Sequence, residues 1–203
     1  MQSTSFVLML LLTSAMAQGT PPSANEAESP KQLVERYWKL ETSGERLTTQ
    51  GWNKLEAFRI HPSPPPQRKV IVVVSPEFSV WDPIVNGSRA TVNVDLKSII
   101  GEISPEMRFT RHSTDAIKEG ILFKLEHTSK YWELSSDGKA LREITGPPQW
   151  RIDEPSGKIW LNVDTAIHYV TEIRNKTNDP EIKRNAVQTI TRLGAWPTSP
   201  AHK

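Results

Sequence analysis

The chain of 203 residues contains no cysteine. This absence excludes disulfide bonds, cysteine-based metal sites, thiol nucleophiles and lipid attachment through a cysteine. The fold must therefore be held together by its core alone. The five histidines lie far apart in sequence and form neither a His-Glu-x-x-His nor a His-x-His motif, so the residues indicate no metal site and no cofactor.

Charge of one sign is not concentrated anywhere in the chain. Lysine and arginine number 25 and aspartate and glutamate 23, which gives a formal net charge of +2. Without a basic block, the sequence indicates no nucleic-acid partner. Glycine-rich phosphate loops and the Gly-x-Ser-x-Gly elbow of serine hydrolases are also missing. No motif in the sequence defines a reaction.

Long apolar runs are limited to the start of the chain. Phe6 to Leu12 is unbroken, and Ala15-Met16-Ala17 has the small-x-small pattern that signal peptidases cleave. A membrane-spanning helix needs roughly 20 apolar residues, and no stretch reaches that length. We therefore expect residues 1–17 to be a signal peptide cleaved near Ala17, with export to the periplasm or beyond. The alternative is an apolar first strand or core helix.

Helical periodicity occurs at both ends of the remaining chain. Ser29-Pro30-Lys31-Gln32 has the residues of a capping box, Thr48 or Thr49 can cap a second short helix, and Asp179-Pro180 opens the last one. Three apolar stripes at helical spacing support these assignments. They are Leu33, Tyr37 and Leu40; Trp52, Leu55 and Phe58; and Ile182, Ala186, Ile190 and Leu193, with a further helix around Ala166 to Ile173.

Strand patterns fill the middle of the chain. Val70 to Val74 predicts a strand buried on both faces. Asn86-Gly87 and Asp137-Gly138 lie between alternating runs and predict hairpin turns, whereas Gly146-Pro147-Pro148 predicts a break. The predicted fold is α+β, with N-terminal helices packed on a curved antiparallel sheet and two C-terminal helices. We expect one domain over residues 29–193, after a flexible lead-in (18–28) and before a frayed tail (194–203).

Seven tryptophans are the compositional outlier. Because they are scattered over several elements, core filling is the favoured interpretation, and a set of platforms for a flat ligand is the alternative. The candidate ligand-binding aromatics are Tyr37, Trp38, Trp81, Trp132 and Trp150.

Two acidic residues are candidates for a general base. Asp82 lies between Trp81 and Pro83, and strand alternation would place it on one face with Val80 and Ile84. A carboxyl group desolvated there would have a raised pKa and could act as a base. The alternative is an aspartate that caps the turn before Pro83. Glu133, next to Trp132, is the second candidate.

The order of elements resembles the NTF2-like (SnoaL-like) superfamily. The resemblance is carried by the helix Leu33 to Trp38 followed by Gly44, a short second helix, long strands, and the Tyr131-Trp132-Glu133-Leu134 strand with its turn. It covers about residues 29–152 and implies a cone-shaped sheet with an apolar pocket, but it supplies no catalytic residue. The segment before Val70 departs from the family because it lacks the expected strand-plus-helix insertion. The segments YWKLETSGERLTTQGW and GPPQWRI resemble uncharacterised exported bacterial proteins, which implies no activity.

Three functions remain open from the sequence. The leading hypothesis is an exported, non-catalytic domain that binds a small apolar or aromatic ligand, or a protein partner. The alternative is a small isomerase or hydrolase with Asp82 or Glu133 as base, which requires an acid at the floor of a pocket. A structural envelope protein is the third, and it would have a filled core without a pocket.

Overall fold

The computed structural model describes residues 28–63, 70–112, 120–153 and 158–196. Within them the chain is α+β: N-terminal helices, a strongly curled sheet that forms a half-barrel, and two C-terminal helices. This confirms the predicted fold class. The expected signal peptide, most of the lead-in and the end of the expected tail lie outside the described residues.

The bounds of the four described α-helices are α1 Pro30–Thr42, α2 Thr49–Glu56, α3 Val163–Lys176 and α4 Pro180–Gly194. Three of them, α1, α2 and α4, begin where the capping residues predict. The Ser29 hydroxyl accepts a hydrogen bond from the backbone N–H of Gln32, whose side chain accepts one from the N–H of Ser29, so the capping box is complete. Thr48 and Asp179 cap α2 and α4 through their side-chain oxygens.

The described residues contain nine strands, which pair in a four-stranded and a five-stranded part of the curled layer. They are β1 Ile71–Val74, β2 Phe78–Val80, β3 Ile84–Asn86, β4 Arg89–Leu96, β5 Ile99–Ile103, β6 Phe109–Arg111, β7 Gly120–Leu134, β8 Leu141–Ile152 and β9 Ile159–Asn162. The four-stranded part has the order β6-β5-β1-β9 and the five-stranded part β2-β4-β7-β8, with β3 also beside β4; no strand of one part pairs with a strand of the other in the described residues. β1 and β9 are parallel, whereas the other pairs are antiparallel.

The strand predicted to be buried on both faces, β1, separates two cores. Val72 and Val74 pack into the first core, between α1 and the strands β4, β7 and β8. Ile71 and Val73 point the other way, into the second core under α3 and α4. Because successive side chains of a strand point to opposite faces, a continuous apolar run suits this position.

The prediction that Val80, Asp82 and Ile84 alternate along one strand is wrong. The segment breaks at Trp81-Asp82-Pro83 into β2 and β3, both paired with β4. Pro83 has no N–H with which to continue the ladder. Ile84 is consequently 76% exposed instead of facing inward. The following turn is centred one residue later than predicted, on Gly87 and Ser88, because Asn86 pairs with Arg89; Gly87 has φ +60°.

The hairpin predicted at Asp137-Gly138 is present, but its loop is longer than two residues because the last pair is Leu134 with Leu141. β8 passes through Gly146-Pro147-Pro148, where a break was predicted. A register shift in its pairing with β7 accommodates the prolines, and β8 lies at the end of the strand order, where a missing N–H costs least. The short strands β5 and β6 were not predicted.

Candidate functional site

Two of the predicted ligand-binding aromatics, Tyr37 and Trp38, belong to the first core. Both side chains are buried. The Tyr37 ring packs edge-on against Phe58 and Phe123, with centroids 5.8 and 5.7 Å away. These rings fill the space between α1 and the sheet, as the core-filling interpretation expects. They are not accessible to a ligand.

A cluster of buried charges surrounds Arg46. After α1 ends, Gly44 adopts φ +88°, and a 3-10 turn over Glu45–Leu47 returns Arg46 to the end of the helix. Its guanidinium donates to the Glu41 carboxylate, to Glu56 Oε1 at 2.7 Å and to the Tyr37 hydroxyl at 2.8 Å. Tyr37, Glu41, Arg46, Glu56 and Arg59 are called the Arg46 network.

The close approach of α2 completes this network. Gly51 faces Glu45, and a Cβ on Gly51 would lie 2.0 Å from the Glu45 carbonyl oxygen, so only glycine fits. One residue further, the Trp52 ring covers Arg46, whose guanidinium carbon lies 4.4 Å from the ring centroid. Glu56 lies one turn after Trp52 on the same helix, and its Oε1 accepts the hydrogen bond from Arg46.

The remaining atoms of the two carboxylates also have partners. Glu41 Oε1 accepts from the backbone N–H of Trp160 at 3.3 Å. Glu56 Oε2 accepts from the N–H of Ser63 at 2.7 Å and lies 3.5 Å from Nε of Arg59. Two carboxylates thus face two guanidinium groups, and each carboxylate is hydrogen-bonded on both oxygens. Within the described residues, Nε of Arg59 is buried without a hydrogen bond, but the full partnering of both carboxylates suits a structural role for the network.

Burial dominates the ionisation of two members of this network, Tyr37 and Glu41. It raises the pKa of the Tyr37 hydroxyl well above its usual range, and the neighbouring Glu41 charge adds to the effect. Burial also raises the pKa of Glu41, against the lowering effect of Arg46. Tyr37 therefore remains protonated at neutral pH.

Neither candidate base has the environment that a base requires. The Asp82 side chain is 90% exposed, and its hydrogen bond to Lys31 holds its pKa below the usual range, the opposite of the expected shift. Its exposure follows from the break between β2 and β3. Glu133 is half-buried on β7, 3.7 Å from the Arg142 guanidinium. No catalytic role is assigned to Asp82.

Two other predicted aromatics, Trp132 and Trp150, are half-buried and already engaged. Trp132 donates its indole N–H to the carbonyl of Ile60 at 3.2 Å. The Trp150 ring packs against the first core, with its centroid 4.9 Å from that of His127. The two tryptophans link β7 and β8 to the rest of the fold.

The GPPQWRI segment supplies a second set of polar contacts. Arg151 donates to Gln149 Oε1 at 2.8 Å and lies over the Tyr131 ring, 4.5 Å from its centroid. Gln149 donates to the Tyr131 hydroxyl at 2.9 Å. Burial lowers the pKa of Arg151. These contacts connect β8 to β7 across the register shift between Thr128 and Lys130.

Trp81 differs from the other candidates because it is 59% exposed. Its backbone N–H donates to the carbonyl of Asn93, and Asn93 pairs with Leu122 of β7. Residues opposite one another in antiparallel strands share a face, so Trp81 and Leu122 flank Asn93. This is the face away from the first core, because Asn93 alternates with the buried Val92 and Val94.

Ile84 lies on the same face, opposite Thr91, two residues along β4 from Asn93. Its neighbour Val85 pairs with the buried Ala90 and therefore lies on the opposite face of the sheet, where it is 53% exposed at the sheet edge. Trp81, Ile84 and Leu122 are called the outer strip. Beside Ile84 is an open depression of about 360 Å³. Its charged lining residues are Arg89, Lys124, Glu126 and Asp153.

No known protein family, curated protein or solved structure matches this chain. Among the helices that the structure describes, none is both long and apolar enough to cross a membrane.

Proposed function

We propose that the protein is an exported, non-catalytic domain that binds a protein partner through the outer strip. One observation carries the proposal. Six large hydrophobic side chains are exposed in the described residues, and three of them belong to this strip. Single exposed apolar residues are ordinary, but a group of them on one sheet face is typical of an interaction surface.

The shape of the strip favours a protein over a small ligand. Its side chains project from an open sheet surface, whereas small ligands are usually enclosed by a cavity. The depression beside Ile84 carries charges of both signs, Arg89 and Lys124 against Glu126 and Asp153. An apolar centre with a mixed polar rim is the usual composition of a protein–protein interface.

Site-specific photo-cross-linking in the producing cell tests this proposal. Ile84 is replaced with p-benzoylphenylalanine, and Val187, an exposed β-branched residue on α4, is replaced in the control. We expect a discrete adduct with one other protein from position 84, none from 187, and loss of the adduct when Trp81→Ser is added.

Two results would count against the proposal. Identical products from positions 84 and 187, or no product from 84, would show that the outer strip binds no specific partner. An adduct of the chain with itself would assign the strip to self-association instead.

A further inference from the structure

A groove of about 560 Å³ lies between β6 and α4, on elements that do not contribute to the outer strip. We call it the β6–α4 groove. Its polar lining includes three arginines, two amides and an exposed threonine. They are Arg108, Arg184, Arg192, Asn185, Gln188 and Thr110.

Three side-chain hydrogen bonds fix the groove in shape. The buried Thr189 hydroxyl donates to the Met107 carbonyl at 2.7 Å. The Asn185 amide donates to the Glu106 carbonyl at 3.0 Å, and Arg192 donates to the Phe109 carbonyl at 3.1 Å. Each bond joins α4 to the backbone of the β6 segment. A ligand would therefore meet a preformed surface, which lowers the cost of binding.

The charge of the groove is unbalanced. Its lining contains three guanidinium groups and one carboxylate, that of Glu181. Glu181 lies 2.5 Å from Arg108, and both side chains are more than half exposed. Within the described residues, no carboxylate lies within ion-pair distance of Arg184 or Arg192. Arg192 uses only one of its five N–H donors for Phe109.

The spacing of these residues is regular. Arg184, Gln188 and Arg192 follow one another at intervals of four, so they share one face of α4. At 1.5 Å per residue, the two arginines are separated by about 12 Å along the helix axis. The amide of Gln188 lies between them. A planar guanidinium recognises a carboxylate through two parallel hydrogen bonds.

From this geometry we propose that the β6–α4 groove binds an acidic peptide segment of a protein, with Arg184 and Arg192 each receiving one carboxylate. The mixed sign of the lining favours a peptide over a nucleic acid. The Glu181 carboxylate repels a continuous polyanion, whereas a peptide can present a donor or a neutral residue there. The amides and the Thr110 hydroxyl can bond to a peptide backbone.

Fluorescence anisotropy at low salt tests the proposal with the whole protein. The probe is a fluorescein-labelled peptide in which three serines separate two glutamates, and the matched peptide carries glutamine in both places. We expect saturable binding of the glutamate peptide and, for Arg184→Gln, a loss of about tenfold, because a charge-assisted hydrogen bond is removed. Lys183→Gln is the control, since Lys183 is exposed on the same helix and outside the groove.

Equal losses from Arg184→Gln and Lys183→Gln would overturn the proposal, because they would reflect net charge only. Equal binding of the glutamine peptide, or tighter binding of a twelve-nucleotide oligothymidine, would also overturn it. Arg184→Lys retains the charge but not the planar pair of donors, so its affinity should lie between those of the unchanged protein and Arg184→Gln; an affinity as low as that of Arg184→Gln would contradict a contribution of charge. Thermal unfolding of each variant, followed by circular dichroism, separates a change in binding from a change in folding.

Discussion

The Arg46 network places charges inside the protein, whereas the outer strip places large apolar side chains in water. Arg46 and Glu56 have no exposed surface, yet Arg46 contacts two carboxylates and a hydroxyl. Ile84 is 76% exposed and Trp81 59%. Both regions reverse the usual distribution of polar and apolar groups.

The difference lies in whether each region is partnered within the chain. In the Arg46 network, both carboxylates are hydrogen-bonded on both oxygens. In the outer strip, the described residues leave three large apolar side chains about half exposed or more. Buried charges that are partnered within the chain suit a role in the fold, whereas a group of uncovered apolar side chains on one face is typical of a surface that another molecule covers. Variants in the two regions should therefore affect different properties.

The largest effect is expected from Arg46→Met. It leaves Glu41 and Glu56 buried without the guanidinium that faces both of them, which should lower the free energy of unfolding by about 3–5 kcal/mol. Urea denaturation measures this change. Lys39→Met, which breaks an exposed pair with Glu35, should cost less than about 1 kcal/mol. Similar costs for the two variants would show that the Arg46 network is not the stabilising feature described above.

An intermediate effect on the free energy of unfolding is expected from the titration of Tyr37 at alkaline pH. Because the pKa of Tyr37 is raised in the folded state, the unfolded chain loses this proton first as the pH rises above 10. The contribution of Tyr37 to stability is therefore complete below pH 10 and lost above it, approaching about 1.4 kcal/mol per pH unit. In urea unfolding between pH 9 and about 11, the free energy of unfolding of Tyr37→Phe should fall less with rising pH, because the variant lacks this ionisable group. Parallel pH profiles for the two proteins would contradict the assignment.

The smallest effect on stability is expected from Ile84→Ser in the outer strip. An exposed side chain without cover contributes little to folding, so the free energy of unfolding should change by no more than about 0.5 kcal/mol. Ile71→Ser, the same substitution in the second core, should cost several times more. If Ile84→Ser is as costly as Ile71→Ser, the strip is covered within the chain and is not a free surface.

The helices and the buried strand could be predicted from the sequence because their signals are local. Ser29 with Gln32, and Asp179 with Pro180, determine where α1 and α4 begin, and the structure agrees. The continuous run in β1 likewise predicts burial on both faces. In each case, neighbours in sequence supply the relevant contacts.

The surroundings of the candidate residues could not be predicted because they depend on contacts between distant segments. Asp82 follows the alternation of an inward-facing residue, but Pro83 interrupts the strand and turns the carboxylate to solvent. The Arg46 network unites α1, the 3-10 turn and α2. One signal was available: Glu41 lies four residues after Tyr37, on the apolar side of α1, where an acid is expected only with a partner.

The most direct test of the central claim uses the partner protein that cross-linking at position 84 identifies. The affinity of this partner is measured for two purified variants of the chain. Trp81→Ser changes the outer strip, and Tyr37→Phe changes the Arg46 network. Isothermal titration should show at least about tenfold weaker binding for Trp81→Ser, because a large aromatic contact is lost, and unchanged binding for Tyr37→Phe. Weakened binding for Tyr37→Phe with unchanged binding for Trp81→Ser would contradict the assignment of function to the outer strip.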